Sequence, residues 1–98
     1  MPMNALLMAA IIAVATDDFG ERIVLTDDWT NACAPTEYVA YAVERGGRTT
    51  WGCWVAEDDF LHITWQFVGG RTSHHVFSLD QFERRRPLPA PRIIPGRS

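Results

Sequence analysis

The sequence predicts a small, mainly antiparallel β-domain of about five strands, curled or partly closed, with one short C-terminal helix and one disulfide. Three observations carry this prediction. Residues 37–77 are rich in Val, Ile, Thr, Trp, Tyr and Phe, and three turn signals divide them: Gly46-Gly47, Glu57-Asp58-Asp59 and Gly69-Gly70. The chain has two cysteines, Cys33 and Cys53, the second inside the run Trp51-Gly52-Cys53-Trp54. An apolar N-terminal stretch precedes all of this.

That stretch, residues 4–15, ends in Ala13-Val14-Ala15 and has the form of a signal-peptide h-region with an A-x-A cleavage site. It is about half the length needed to span a bilayer, so no stable membrane span is expected. Residues 1–15 contain no Lys or Arg, which leaves the α-amino group as the whole positive n-region. The alternative is a short buried helix that stays attached and packs on the sheet. The expected organisation is a signal peptide at 1–15, a β-domain at 16–86 and a proline-rich arm at 87–98. A domain this small buries only about 60–65% of its unfolded surface, so its core is marginal. A bond between Cys33 and Cys53 closes a loop of about 20 residues and adds on the order of 3 kcal/mol in the chain-entropy model. In an oxidising compartment two cysteines allow one intramolecular pairing. In a reducing one they are two core thiols.

The elements follow in order. Arg22-Ile23-Val24-Leu25-Thr26 is β-like, and residues 27–36 read as a loop carrying Cys33. Leu61, Ile63, Trp65 and Phe67 alternate with His62, Thr64 and Gln66, which sets the odd positions toward the core. A three-residue loop at 57–59 pairs Ala56 with Phe60, Val55 with Leu61, Cys53 with Ile63 and Trp51 with Trp65. A turn around Gly46 sets Val43, Tyr41 and Val39 near Thr49, Trp51 and Cys53. In the last strand, 71–77, a two-residue turn at Gly69-Gly70 faces His74 and Val76 inward, and a three-residue turn faces His75 and Phe77 inward. Ser78-Leu79-Asp80-Gln81 resembles a capping box opening a helix through about Arg86, ended by Pro87. The arm beyond it carries Ile93 and Ile94, too apolar for a purely solvated tail.

Charge and motifs exclude several functions. The net charge is −3, without the basic face of a nucleic-acid binder. Adjacent His74 and His75 point to opposite faces of a strand, so at most one can join His62, and no carboxylate is expected beside them; no metal site or cofactor is expected. Glu57, Asp58 and Asp59 lack calcium-loop spacing. No nucleophile elbow or zinc-hydrolase motif occurs, so no catalytic residue is assigned. The candidate binding surface is instead a cross-strand row of Tyr38, Trp54 and His62, with Phe60 nearby, either open to a partner or covered by another element. The acidic hairpin Glu57, Asp58 and Asp59 is a second candidate, and Ile93 and Ile94 of the arm a third.

The layout resembles small exported proteins of proteobacteria and their phages, in which an apolar leader and a first cysteine precede a β-meander with a Gly-Cys-Trp centre. The matching residues are Cys33, Gly52, Cys53, Trp54 and Trp65, so the resemblance covers roughly residues 31–79. It implies no assigned activity. The expected function is a non-enzymatic binding or structural module of the periplasm, extracellular space or virion, acting on a protein partner through aromatic and β-edge contacts. The second expectation is a secreted inhibitor of an envelope hydrolase such as a lysozyme, with the acidic hairpin as its plug. The third is an intracellular or assembly protein that keeps residues 4–15.

Overall fold

A computed structural model of the chain describes residues 10–89. Among these, seven strands form one antiparallel sheet curled into a half-barrel: β1 (Ile11–Thr16), β2 (Arg22–Thr26), β3 (Tyr38–Val43), β4 (Thr49–Glu57), β5 (Phe60–Gln66), β6 (Thr72–Ser78) and β7 (Glu83–Arg84). Their order across the sheet is β6-β5-β4-β3-β2-β1-β7. The chain thus runs as a meander and then crosses from one edge to the other. Arg22–Thr26 forms a strand as expected, and two further strands, β1 and β7, lie outside the five of the sequence reading.

β1 occupies the end of the apolar stretch. A continuous apolar run fits both an h-region and a strand buried in a sheet, and Ile11-Ile12-Ala13-Val14 supplies the β-branched residues a strand favours. Residues 11–15 are therefore extended, not the helix of the alternative reading. β1 lies between β2 and β7, with Ile12 and Ala13 buried and an irregularity in register between Ile11 and Ala13. A chain boundary after Ala15 cuts this strand near its end.

The hairpins β1–β2, β3–β4 and β5–β6 share one loop design. Three residues separate a closing pair, as where the Phe67 N–H donates to the Arg71 carbonyl, and the third loop residue is glycine. Gly47 shows why, with φ at 96°, the left-handed setting such a loop needs at its last position. The β5–β6 loop has the three-residue form, so His75 and Phe77 face inward.

The β4–β5 hairpin departs from the expected register. Its turn has two residues, Asp58 and Asp59, with Asp58 at φ 58°; Asp tolerates the positive φ that a two-residue hairpin turn requires. Glu57 therefore pairs with Phe60, Ala56 with Leu61, Val55 with His62, Trp54 with Ile63, Cys53 with Thr64, and Gly52 with Trp65. A slip of one residue exchanges the faces of a strand. β3 and β4 pair as expected, Tyr38 with Trp54 and Val39 with Cys53. Leu61, Ile63 and Trp65 are core residues as expected, but their companions are Trp54, Gly52 and Ala40, not Cys53 and Val39; Phe67 is exposed.

The inner face holds the main core. One row runs Ala13, Leu25, Ala40, Gly52, Trp65, Ser73 across six strands, with Leu25 and Trp65 each flanked by small residues. The small positions leave room for the sheet to curl over Leu25 and Trp65. At Gly52 the fit is closest, since a Cβ there would stand 2.5 Å from the Thr64 carbonyl oxygen and 2.8 Å from the Trp65 ring. Trp54 is fully buried, and its indole N–H donates to the Thr26 carbonyl at 2.8 Å. The Thr26 hydroxyl in turn donates to the Val39 carbonyl at 2.7 Å.

The outer face has a smaller cluster of Cys33, Val39 and Cys53, flanked by Trp29 and Trp51. The disulfide Cys33–Cys53 ties the β2–β3 loop to the middle of β4, with Cα atoms 5.6 Å apart.

In place of the expected helix to Arg86 there is a single 3₁₀ turn, Leu79–Gln81. The capping box is present: Ser78 Oγ accepts from the Asp80 N–H, and Gln81 Oε1 accepts from the Ser78 N–H at 3.0 Å. The helix stops because Phe82 turns into the core, edge-on to Phe77 with centroids 6.0 Å apart. Burying a phenyl ring is worth about 1.5–3 kcal/mol, more than another helical turn of surface residues. The chain then pairs with β1 as β7, and Leu88 packs against the core.

Candidate functional site

The half-barrel leaves a cleft of about 380 Å³ open on its inner side. Its floor is apolar: Ala15, Ile23, Ala42, Trp65 and Phe77. Its rim is charged, with Asp17, Glu21 and Glu44 against one arginine, Arg22. The carboxylates come from the ends of β1 and β3 and from the loop before β2, so the hairpin geometry itself sets them around the mouth. Asp17 is held in place, its Oδ1 accepting from the Phe19 and Glu21 N–H groups at 2.8 and 2.9 Å. The opposite wall is β6, through His75 and Phe77.

His75 is oriented by its neighbours. The Trp65 indole N–H donates to His75 Nδ1 at 3.2 Å, which leaves the ring proton on Nε2, facing Ser73 Oγ at 3.4 Å. The Ser73 hydroxyl oxygen accepts that proton's hydrogen bond. This polarity is the reverse of a nucleophile–base pair, in which imidazole accepts from serine. The arrangement serves to hold Trp65 and His75 as one wall of the cleft.

β6 also forms an edge of the sheet. It pairs with β5 over seven residues without interruption, and no strand lies on its other side among the described residues. The opposite edge is different. There β7 is two residues long, both charged, and Pro87 follows soon after. Short, charged and proline-flanked edges are the usual guards against strand addition. The β6 sequence, Thr-Ser-His-His-Val-Phe-Ser, has none of them.

The candidate residues separate accordingly. The Tyr38–Trp54–His62 row does not form. Tyr38 and Trp54 are neighbours on the inner face, with ring centroids 5.8 Å apart, but the one-residue register difference sets Trp54 opposite Ile63 and His62 opposite Val55 on the outer face. Trp54 is 2% exposed and belongs to the core. Phe60 is on the outer side and half exposed. Glu57, Asp58 and Asp59 are exposed at the tip of a tight hairpin. Ile93 and Ile94 lie outside the described residues. The cleft was missed in the sequence because it needs β1, yet one signal for it was present, the alternation that turns His75 and Phe77 inward together.

No helix among the described residues is long and apolar enough to cross a membrane. Comparisons of the chain with protein families, with curated proteins and with solved structures found no match. Fold and cleft alone define the class: an antiparallel half-barrel stapled by one disulfide, with one guarded edge and one open edge beside an apolar-floored cleft.

Proposed function

We propose that this protein is a non-enzymatic binding module of an oxidising, exported compartment, and that it captures an extended segment of a protein partner by strand addition to β6. The observation that carries the reading is the coincidence of two features on one strand. β6 offers an unguarded edge of backbone donors and acceptors, and its inward side chains form a wall of the cleft. A strand added there supplies main-chain hydrogen bonds for affinity and drops alternate side chains into the pocket for specificity. The apolar floor selects an aliphatic or aromatic side chain. Three carboxylates against one arginine at the mouth favour a basic residue beside it. The disulfide supports the choice of compartment, because such bonds persist where the surroundings are oxidising.

The test uses the full-length ¹⁵N-labelled chain and a synthetic heptapeptide of alternating Val and Thr with one flanking Arg. Amide shifts and exchange protection should appear at alternate residues of β6, together with a shift of the Trp65 indole N–H. Perturbation of Trp65 without protection along β6 would reduce the site to a small-molecule cleft and sink strand addition. Protection of β6 that grows with protein concentration in the free chain would instead show self-pairing and overturn the choice of a separate partner.

A further inference from the structure

The outer face carries an arrangement that the cleft does not use. His62 on β5 and His74 on β6 are diagonal neighbours, since Thr64 pairs with His74 and His62 with Val76. Their ring planes lie 24° apart with centroids at 5.4 Å, so the rings meet edge to edge, and His62 Nδ1 is hydrogen-bonded to His74 Nε2 at 3.3 Å. On the far side of the His62 ring, Glu57 Oε1 lies 3.6 Å from Nε2. Among the described residues no cluster of three or more His, Cys, Asp or Glu side chains suited to a metal is present, so a protein-only cage is not on offer.

From this geometry we propose that His62 and His74 form a two-imidazole site for a divalent transition ion of the zinc and copper class. Two nitrogens bound tetrahedrally at about 2.0–2.1 Å stand about 3.3 Å apart, which is the separation found. Glu57 supplies the second requirement. Its charge favours the His62 proton on Nε2 and leaves the Nδ1 lone pair turned toward His74, as the carboxylate does in a carboxylate–histidine–metal chain. In the free site the His74 Nε2–H donates to His62 Nδ1; the ion replaces that proton, which passes through water to His74 Nδ1, so two neutral rings take up the ion without net proton loss. Water completes the coordination, for which the site is open: the His62 side chain is 31% exposed. The ligands sit on paired strands, so both are positioned by backbone hydrogen bonds, and chelation needs only small ring rotations. Hard ions such as Mg²⁺ and Ca²⁺ find no oxygen cage there.

The experiment is calorimetric titration of the tag-free, disulfide-intact chain with Zn²⁺ and with Cu²⁺ in a non-coordinating buffer. One equivalent should bind, Cu²⁺ more tightly than Zn²⁺ as the divalent series requires. His62→Ala and His74→Ala should each remove saturable binding. Glu57→Gln should weaken it about tenfold. His75→Ala, on the other face, should leave it unchanged. Imidazole nitrogen shifts should place the ion on Nδ1 of residue 62 and Nε2 of residue 74. Absence of saturable binding in the unaltered chain overturns the site, as does binding that survives His74→Ala. A far-UV spectrum matching the parent protein keeps each variant's loss attributable to the missing ligand.

Discussion

The two faces of the sheet are held by different means. The inner face buries Leu25, Trp54, Leu61, Ile63 and Trp65 against alanine and glycine, and its polar atoms are bonded within it. The outer face buries little beyond Cys33, Val39 and Cys53, and keeps Tyr41, Phe60 and Val76 partly exposed. Among the described residues one sheet curls over one core, and no second layer covers the other side. The disulfide stands where that layer would be. The comparison teaches that packing specifies the inner face and a covalent bond substitutes for packing on the outer one.

The largest test of this division removes β1. A chain beginning at Thr16 loses Ile12 and Ala13 from the inner core, the partner of β2, and the strand to which β7 binds. The Ile12 carbonyl also accepts from the Arg85 and Arg86 N–H groups, so the crossing segment loses its anchor. Loss of one large buried aliphatic side chain costs about 2–5 kcal/mol. A whole strand exceeds that, against a total stability of about 5–10 kcal/mol for a domain of this size. The expected outcome is a truncated chain with no cooperative urea transition. A truncated chain that unfolds like the parent would show that the core does not need β1 and would fit a boundary after Ala15. An intact mass of the natively isolated protein, taken without reductant, answers the same question from the other side.

Next comes Gly52. Its replacement by alanine puts a methyl group against the Thr64 carbonyl and the Trp65 ring at distances real Cβ atoms do not adopt. Overpacking a filled core costs about 1–3 kcal/mol, occasionally more. Here the carbonyl belongs to the paired strand and cannot swing aside, so about 3 kcal/mol is expected, read as a fall in the urea midpoint with an altered Trp near-UV signal. If Gly52→Ala is neutral, the inner face is looser than the close fit at Gly52 implies.

How much of this was legible in the sequence depends on what set each feature. The β3–β4 register and the Cys33–Cys53 bond follow from side-chain parity and from having two cysteines. The β4–β5 register did not, because a run of three acidic residues gives no sign that Glu57 belongs to the strand and only Asp58 takes a positive φ. That one residue moved Trp54 and Tyr38 to the inner face, left His62 on the outer face opposite Val55, and brought Glu57 beside it. β1 was hidden for a different reason: an apolar run ending in small residues is equally a cleavage signal and the inner edge of a tightly curled sheet. The helix at 78–86 was read correctly at its cap and wrongly in its length, since nothing local announces that Phe82 is claimed by Phe77.

The smallest of the three effects falls on the outer face. Cys33→Ala combined with Cys53→Ala opens a loop whose ends are 20 residues apart, which removes about 2–3 kcal/mol by relaxing the unfolded chain. The two clusters are separate and Thr26 links them, its hydroxyl donating to the Val39 carbonyl while its own carbonyl accepts from the Trp54 indole N–H. The variant should therefore still fold, with the Trp54 and Trp65 signals of the parent and a lower urea midpoint. Exchange should quicken first at the Val39 amide, which donates to the Asp28 carbonyl at the root of the stapled loop. Outright unfolding would mean that the outer face supports the inner one and that the division drawn here fails. Unchanged stability would mean that Trp29 and Trp51 already do by packing what the bond was held to do by connection.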